Sequence, residues 1–305
     1  MPPSRLLSAL LPLSAGALWG AIGLFVRRLN AFGIAEMDVV ALRVLTAAIL
    51  FVPMAWLHNR SSLRIHFRDV WCFAGLGIGS IVFFNYCYFT TMSRASLSVA
   101  ATLLYSAPAM VLVLSALLFH EKLSVRKCMA CLLAFLGCAL ASGWLGADRH
   151  LPLPTFLTGL GSGFGFALFS LFGRCALNRG YRSATLTAYT FVFASLGTLP
   201  FLHPEEVVRV FRLHPDALAW GIGLGVVSTL LPYWLYAAGL RRMDNGKASL
   251  LGAVEPVVAT LIGLAVFHEP LTRHTLAGIL LVLGSLLVLS LPCSRQPLPS
   301  ASGAP

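Results

Sequence analysis

The sequence predicts an all-α integral membrane protein, with ten transmembrane helices arranged as two inverted repeats of five helices each. Three observations support this fold class. The composition is strongly apolar, the second half of the chain repeats the first, and each half contains five apolar segments joined by short loops. An odd number of spans in each repeat places the two copies upside down relative to each other in a bilayer.

The composition excludes an ordinary soluble domain. Hydrophobic residues make up 58% of the chain and charged residues 11%, whereas a globular domain carries about 25% charged residues. The net charge of +11 comes from basic residues scattered singly or in pairs between apolar segments. A nucleic-acid partner would require a contiguous basic surface with stacking aromatic side chains, so we expect none. The excess of basic residues is instead typical of loops that orient membrane helices.

The duplication is visible as matching residues 148 positions apart. Phe119–Glu121 returns as Phe267–Glu269, and Pro108 returns as Pro256. Towards the start of each half the offset is 147, as a single small insertion or deletion in a duplicated unit would produce. Further matched pairs are Tyr88 with Tyr236, Ser80 with Ser228, Gly75–Gly77 with Gly223–Gly225, Arg27 with Arg174, and Pro53 with Pro200. Each half is therefore predicted to be one structural unit that packs against the other.

Ten apolar segments are long enough to cross a bilayer, which takes about 20 residues. Several contain Gly or Pro, as is common in helical membrane bundles. The first segment lacks a small-residue cleavage site and is interpreted as an uncleaved helix. The tail 292–305 is rich in Pro, Ser and Gly and is predicted to be disordered. The predicted helices are 8–27, 37–57, 69–91, 97–118 and 126–144 in the first repeat (8–144), and 155–176, 184–202, 216–238, 247–267 and 274–291 in the second (155–291).

Loop charge predicts that both termini are cytoplasmic. With the N-terminus inside, the inner loops and tails carry 14 Lys and Arg residues and the outer loops carry 7, while Arg43 lies within a helix. This bias agrees with the excess of basic residues found in cytoplasmic loops. The chain is therefore predicted to be a multi-pass protein of the cell (inner or plasma) membrane.

Several stretches resemble the EamA family of the drug/metabolite transporter superfamily. They are Leu251–Ala259, Phe267–Thr272 and Gly278–Gly284, a weaker copy at Tyr105–Pro108, Phe119–Ser124 and Gly137, and the opening Ala15–Gly20 with Arg43. The resemblance covers roughly residues 10–291. It implies ten helices, inverted five-helix repeats and transport of a small molecule, often export of amino acids or related metabolites. Members of the family also handle sugars, amines and drugs, so the resemblance does not fix the substrate.

Glu255 is the sharpest candidate for a functional group. It lies within the ninth predicted helix beside Pro256, and a carboxylate in a bilayer core is costly and marks a functional or paired site. It is predicted to bind a cationic amine or to carry a coupling proton; the alternative is a structural Glu near a helix end. Pro256 and Pro108 each remove a helical hydrogen bond and predict pliable points for gating. Glu255 corresponds to Ala107 in the first repeat, so any charge function is asymmetric.

Arg43 is the other charge within a predicted span. It lies about two turns into the second helix. Its side chain is predicted either to reach the membrane surface or pair with an acidic group such as Asp38, or to bind a substrate carboxylate.

Amphipathic side chains recur at equivalent positions of the two repeats. Asn85 and Tyr88 lie one turn apart in the third helix, where Tyr233 and Tyr236 take their places in the eighth. Such groups suit a cavity with a few convergent polar contacts, and aromatic faces attract ammonium groups. The alternative is an aromatic belt at the membrane surface. The predicted cavity-lining set is Trp19, Arg43, Asn85, Tyr88, Tyr105, Tyr233, Tyr236 and Glu255.

Other motifs lack the rest of a chemical site. The pairs His120–Glu121 and His268–Glu269 do not extend to a zinc-binding His-Glu-x-x-His, and Cys128 with Cys131 lacks a second pair, so no metal is predicted. The family resemblance makes each Glu an anchor for its loop, capping the next helix. No Gly-rich stretch ends in Lys-Ser/Thr, so no nucleotide cofactor is expected.

The leading hypothesis is a secondary transporter that works by alternating access and exports a small metabolite, with an amino acid or related compound favoured. Export of cationic amines or drugs is the alternative within transport. Coupling to protons and uncoupled exchange both stay open, as does the oligomeric state. An intramembrane enzyme would need a nucleophile–base set or metal ligands at helical depth, yet the eight His lie in loops or at helix ends. A non-transporting membrane scaffold is the third hypothesis.

Overall fold

The computed structural model describes residues 3–58, 60–95, 97–141, 152–268 and 272–290, and these residues are almost entirely helical. The predicted disordered tail 292–305 and Glu269 of the second His-Glu pair lie outside the described residues.

The described part of the first half contains eight α-helical segments. They are α1 Pro3–Gly20, α2 Ile22–Ala31, α3 Glu36–His58, α4 Val70–Ala74, α5 Phe83–Arg94, α6 Leu97–Leu104, α7 Ala107–Phe119 and α8 Val125–Ala141. A π-helical segment, Gly75–Val82, joins α4 to α5, and short 3-10 turns lie at Arg60–Leu63 and Phe67–Asp69. α4, the π-helical segment and α5 therefore form one continuous helix.

The second half follows the same plan, with one addition. Its segments are α9 Leu153–Asn178, α10 Ser183–Thr198, α11 Pro204–Leu213, α12 Pro215–Gly225, α13 Leu231–Leu240, α14 Asn245–Gly252, α15 Glu255–Phe267 and α16 Arg273–Ser290. A π-helical segment, Val226–Leu230, joins α12 to α13, and a 3-10 turn lies at Leu199–Phe201.

Seven helical stretches within the described residues are long and apolar enough to cross a membrane. They are Ser8–Ala31, Glu36–Leu57, Phe67–Arg94, Leu153–Asn178, Ser183–Phe201, Pro215–Leu240 and Asn245–Phe267. The other three predicted helices, at 97–118, 126–144 and 274–291, do not meet this length. A turn at Tyr105–Ser106 interrupts the first of them, and the described parts of the other two end at Ala141 and Ser290.

The same local backbone conformations recur 148 residues apart. His120 and His268 end α7 and α15 in the left-handed conformation, with φ of 54° and 53°. A positive φ is uncommon for any residue other than Gly, so its recurrence at matched positions is informative. Turns also interrupt the helices at Tyr105–Ser106 and at Ala253–Val254. The two halves therefore follow the same path at these helix breaks and helix ends.

Helix packing is also matched between the halves. α5 packs on α9 as α13 packs on α1, and α6 and α7 pack on α9 as α14 and α15 pack on α1. α3 lies against α10, and α8 lies along α16. Each of these pairs joins one half to the other and has its counterpart when the halves are exchanged. The core therefore lies between the halves.

Glycines allow the closest of these approaches. A Cβ on Gly16 of α1 would lie 2.9 Å from Cγ1 of Val254, and one on Gly163 of α9 would lie 3.1 Å from the carbonyl oxygen of Leu103. Real Cβ atoms essentially never come closer than 3.0 Å to such a neighbour and rarely closer than 3.4 Å. Small residues are typical of closely packed membrane helices. Each glycine thus brings its helix against the broken helix of the opposite half.

Helix α11 is absent from the helices predicted from sequence. It is ten residues long and carries Glu205, Glu206 and Arg209, so it is too short and too polar for a membrane span. Val207 and Val210 are buried against an apolar cluster that includes Leu29 and Leu224. This pattern is typical of helices that lie along a membrane surface.

Candidate functional site

The two helix breaks meet at the centre of the protein. α7 begins at Ala107 after the turn at Tyr105–Ser106, and α15 begins at Glu255 after the turn at Ala253–Val254. Residues of both breaks, together with Phe166 of α9, line a cavity of about 20 Å³. A water molecule needs roughly 10–15 Å³ of such space, so the cavity has room for about one water molecule.

Glu255 is the acidic group of this cavity. It is the first residue of α15, and its side chain is partly buried. Within the described part of the chain its carboxylate makes no hydrogen bond or ion pair. Arg43, Tyr88 and Tyr105 lie close enough to interact with it electrostatically. A carboxylate placed at a helix N-terminus is favoured by the helix dipole, which accounts in part for its stability in this position.

Arg43 is the basic group nearest to this site. Its side chain, on α3, is 4% exposed, and its Nε has no hydrogen-bond partner among the described residues. It interacts electrostatically with Tyr233 and Glu255, yet its nitrogens lie more than 4.0 Å from the Glu255 carboxylate. Arg43 and Glu255 therefore carry opposite charges within the protein interior but do not form an ion pair with each other.

The predicted pairing of Arg43 with Asp38 is wrong. Asp38 Oδ1 accepts a hydrogen bond of 2.7 Å from the backbone N–H of His203, and its Oδ2 lies 3.4 Å from Nδ1 of the same residue. Residues five apart on a helix point in different directions, whereas those three or four apart are neighbours. Asp38 consequently fastens the start of α3 to the segment before α11, and Arg43 points into the interior.

Aromatic side chains from both halves form a continuous wall. The Trp19 ring lies 5.2 Å from Tyr233, 5.4 Å from Tyr236 and 5.7 Å from Phe166, measured between ring centroids. Phe84 then links Phe166 to Tyr88, at 6.0 Å and 5.8 Å. The structure thus brings Trp19, Tyr88, Tyr233 and Tyr236 into one aromatic cluster. Of the predicted cavity-lining set, Tyr105 and Glu255 are the members that line the cavity between the helix breaks.

Some of the predicted polar side chains already have a hydrogen-bond partner among the described residues, and others do not. Tyr236 shares a 2.7 Å hydrogen bond with the hydroxyl of Ser170, and Asn85 donates a 2.7 Å bond to the carbonyl of Ile81 in its own helix. No such partner within the described residues engages the hydroxyls of Tyr88, Tyr105 and Tyr233. Asn85 and Tyr236 therefore have structural bonds, whereas the other three hydroxyls are available to a ligand.

A charged network, which we call the latch, closes one end of the interface between the halves. Glu121 Oε1 accepts a 3.0 Å hydrogen bond from the backbone N–H of Asn245, at the start of α14. Arg174 Nε donates to Asn245 Oδ1 at 2.9 Å, and its Nη2 donates to the carbonyl of Met243. Lys127 Nζ lies 3.2 Å from Asp244 Oδ2. The latch comprises Glu121, Lys127, Arg174, Asp244 and Asn245.

The latch corrects one detail of the prediction for the His-Glu pairs. Glu121 does anchor its loop, but it caps α14 of the other half rather than α8, the next helix. Because the capped helix lies 124 residues away in sequence, local spacing could not identify it. Among the described residues no group of three His, Cys, Asp or Glu side chains could hold a metal ion.

Comparisons with known proteins agree over almost the whole chain. The sequence profile of the EamA-like transporter family matches residues 6–143 and again residues 153–291. An uncharacterized transporter of Archaeoglobus fulgidus is 28% identical over 272 residues, which is 88% of this chain and 91% of that protein. The uncharacterized transporter YwfM of Bacillus subtilis is 24% identical over 94% of this chain and 95% of its own length.

A third relative is named for the compounds that it exports, and a solved structure has the same fold. The threonine/homoserine exporter RhtA of Salmonella typhimurium is 26% identical over 74% of this chain and 72% of its own length. A protein crystal structure superposes with a TM-score of 0.76, covering 93% of this chain and 96% of the other. At 19% sequence identity this likeness establishes the fold alone.

Proposed function

Because the chain belongs to the EamA-like transporter family, we propose that it is a secondary transporter that moves a small metabolite by alternating access. Family membership and the seven apolar spans make it a multi-pass membrane transporter. The observation that carries the mechanism is the cluster at the meeting point of the two helix breaks. There Glu255, Arg43 and tyrosine hydroxyls from both halves lie near one another, and they have no hydrogen-bond or ion-pair partner among the described residues.

The proposed architecture is ten spans in two inverted repeats. It is supported by the matched packing of the halves, by the paired turns and by the left-handed histidines His120 and His268. A broken or shortened helix still crosses when a bilayer thins locally or neighbouring helices satisfy its backbone. With both termini in the cytoplasm, as loop charge predicts, the latch lies at the cytoplasmic end.

The size of the cavity between the helix breaks supports the proposal of alternating access. A cavity of about 20 Å³ cannot hold a metabolite, since ligand pockets measure about 300–1,000 Å³. In the proposed mechanism the halves separate at one end and then at the other to admit and release a substrate. The latch must break for opening to the cytoplasm, and the turns before Pro108 and Pro256 provide places where the helices bend.

The proposed substrate is an amino acid or a related compound, and the proposed direction is export. The name of the relative RhtA supports both statements. Cationic amines or drugs form a second candidate class, which the aromatic wall around Trp19 favours because aromatic faces attract ammonium groups. Protons are the proposed coupling ion, with Glu255 as their carrier.

Flux through purified protein in liposomes tests this function. Uptake and counterflow are measured with a mixed panel of labelled amino acids and organic cations, with protein-free liposomes as the blank. Saturable counterflow of amino acids supports the proposal, whereas counterflow of cations alone supports the second candidate class. No flux of any panel member over the blank would favour an enzyme or a scaffold in the membrane and would contradict transport of these metabolites.

A further inference from the structure

We propose that the site recognises a zwitterion at two points, with the substrate carboxylate on Arg43 and its ammonium group on Glu255. This inference rests on the proposed transport function. It goes further because it excludes both cationic amines and simple carboxylic acids as good substrates and assigns one residue to each charge.

Both charges lie in the protein interior, with Arg43 buried and Glu255 partly buried. Arg43 is 4% exposed and makes no hydrogen bond or ion pair within the described chain. The Glu255 carboxylate likewise makes no hydrogen bond or ion pair with the described residues. Unpaired charges away from water are costly, and in membrane segments they mark substrate or ion sites. A folded protein can retain the free-energy cost of an unpaired charge when a ligand or ion pairs with that charge during function.

The two charged groups are separated by a gap that a ligand could bridge. Arg43 and Glu255 interact electrostatically but stand farther apart than the 4.0 Å of an ion pair. A ligand with a positive and a negative group at its two ends can contact both. A ligand with only one charge leaves the other residue buried and unpaired, and this is the arrangement that gives strong discrimination between similar molecules.

Among the described residues, Arg43 is the charged side chain that acts on Glu255. The other titratable side chains facing Glu255 are Tyr88, Tyr105, Tyr233 and Cys138, which are neutral at physiological pH. Tyr233 lies within electrostatic range of both Arg43 and Glu255. Its hydroxyl is thus placed to donate a hydrogen bond to the bound carboxylate or to accept one from the ammonium group.

The two charged residues come from different halves of the duplicated chain. Arg43 comes from the first half and Glu255 from the second, and their repeat counterparts are Thr190 and Ala107. Thr190 donates its hydroxyl to the carbonyl of Leu186, so it is engaged within its own helix. The site therefore contains a single clamp that spans the two halves, and a bound zwitterion draws them together. That contact couples substrate binding to closure of the site.

Counterflow with matched compounds tests the proposal. Three amino acids of different side chain are each compared with the amine and the acid that lack one charge: threonine with isopropanolamine and β-hydroxybutyrate, leucine with isoamylamine and isocaproate, and phenylalanine with phenethylamine and hydrocinnamate. We expect at least one amino acid to exchange, and its amine and acid to exchange at least about tenfold less efficiently.

Variants then assign the charges. Arg43→Gln is expected to lower exchange of the amino acid at least about tenfold while leaving exchange of the matched amine within about threefold of wild type. Glu255→Gln is expected to show the converse, with the matched acid retained. Arg43→Lys keeps the charge and is expected to recover part of the amino-acid exchange, which separates recognition from a packing defect. Elution as a single species checks that each variant is folded.

The outcomes distinguish this inference from the proposed function. Wild-type protein that exchanges an amine as well as its amino acid overturns two-point recognition while transport stands. If Arg43→Gln does not fold, the wild-type comparison of the matched compounds decides alone. Absence of exchange for every compound of the three sets and for the wider panel overturns the transport function and this inference with it.

Discussion

Glu121 at the end of α7 caps α14 of the opposite half: its Oε1 lies 3.0 Å from the backbone nitrogen of Asn245 and its Oε2 lies 3.5 Å from that of Gly246. A carboxylate at a helix N-terminus satisfies free N–H groups and complements the helix dipole. The side chain of Asp244 accepts from the next N–H, that of Lys247. Residues of both halves therefore complete the start of α14.

Replacing Glu121 with Gln should weaken this closed end. The amide loses the charge at the helix N-terminus and leaves Arg174 with one acidic neighbour fewer. We expect the free energy of unfolding to fall by about 1 kcal/mol, measured as a lower thermal midpoint in detergent. Glu205→Gln, which also removes a first-turn carboxylate but at an exposed site on α11, is the matched control and should lower the midpoint less. Equal midpoints for the two variants would contradict the capping role.

Replacing Gly163 with Ala should separate α9 from the break between α6 and α7. The added Cβ would lie 3.1 Å from the Leu103 carbonyl oxygen and 3.3 Å from the Ala107 nitrogen. We expect a loss of about 1–3 kcal/mol in unfolding free energy. Gly23→Ala is the control, because no atom lies within 4 Å of its added Cβ; it should stabilise α2 by about 0.5–1 kcal/mol. A loss of equal size at Gly23 would show that helix approach is not the cause.

Removing single hydroxyl groups should separate structural tyrosines from those that meet substrate. Tyr236→Phe loses the bond to Ser170 and should cost about 0.5–1.5 kcal/mol in unfolding free energy, with little change in half-saturation for substrate. Tyr233→Phe should change the unfolding free energy by less than about 0.5 kcal/mol but raise half-saturation severalfold. Thermal unfolding and counterflow check the pair, and the reverse pattern would contradict the assignment.

Replacing Glu255 with Gln tests the proton role. A carboxylate that holds either a proton or the substrate ammonium makes transport depend on pH, whereas an amide does not titrate. We expect wild-type exchange to vary between about pH 5 and pH 8 and the residual exchange of the variant to be flat. Glu205→Gln should retain the wild-type profile. A variant with the wild-type pH dependence would remove Glu255 from proton coupling.

The loop between α9 and α10 should make stability sensitive to alkaline pH. The Tyr181 hydroxyl donates a 2.6 Å hydrogen bond to Asp69 Oδ2, and burial, with this bond, raises the pKa of Tyr181 above its usual value. The neutral phenol is thus favoured in the folded protein. Its contribution is complete below about pH 10 and is lost as the pH rises through the folded-state pKa. Tyr181→Phe should show a smaller drop in thermal midpoint between neutral and alkaline buffer, and an equal drop would contradict this role.

Features encoded locally or by duplication were predictable from sequence. The family motifs, the apolar segments and the paired prolines fall where the structure has its helices and breaks. Helix α11 could not be recognised as a membrane span because it is ten residues long and carries the charged residues Glu205, Glu206, Arg209 and Arg212. The π-helical segments at Gly75–Val82 and Val226–Leu230 depend on packing and carry no clear sequence signal.

The composition of the site was predictable, but the state of each polar group was not. Asn85 and Tyr88 lie one turn apart on the same helix, yet only Asn85 is satisfied, by the carbonyl of Ile81. Asp38 and Glu121 find partners 165 and 124 residues away. Such pairings depend on how the two halves dock, and a single sequence contains no direct record of that arrangement.

The crosswise packing of α1 has a consequence for biosynthesis. α1 leaves the ribosome well before α13, α14 and α15, yet it packs against these three helices in the finished protein. Its glycine face at Gly16 has no lasting neighbour until the second half has been translated. Assembly of the core is therefore a late event that follows insertion of all helices. A gene divided between residues 141 and 152 should then yield two fragments that restore transport only when they are expressed in the same cell.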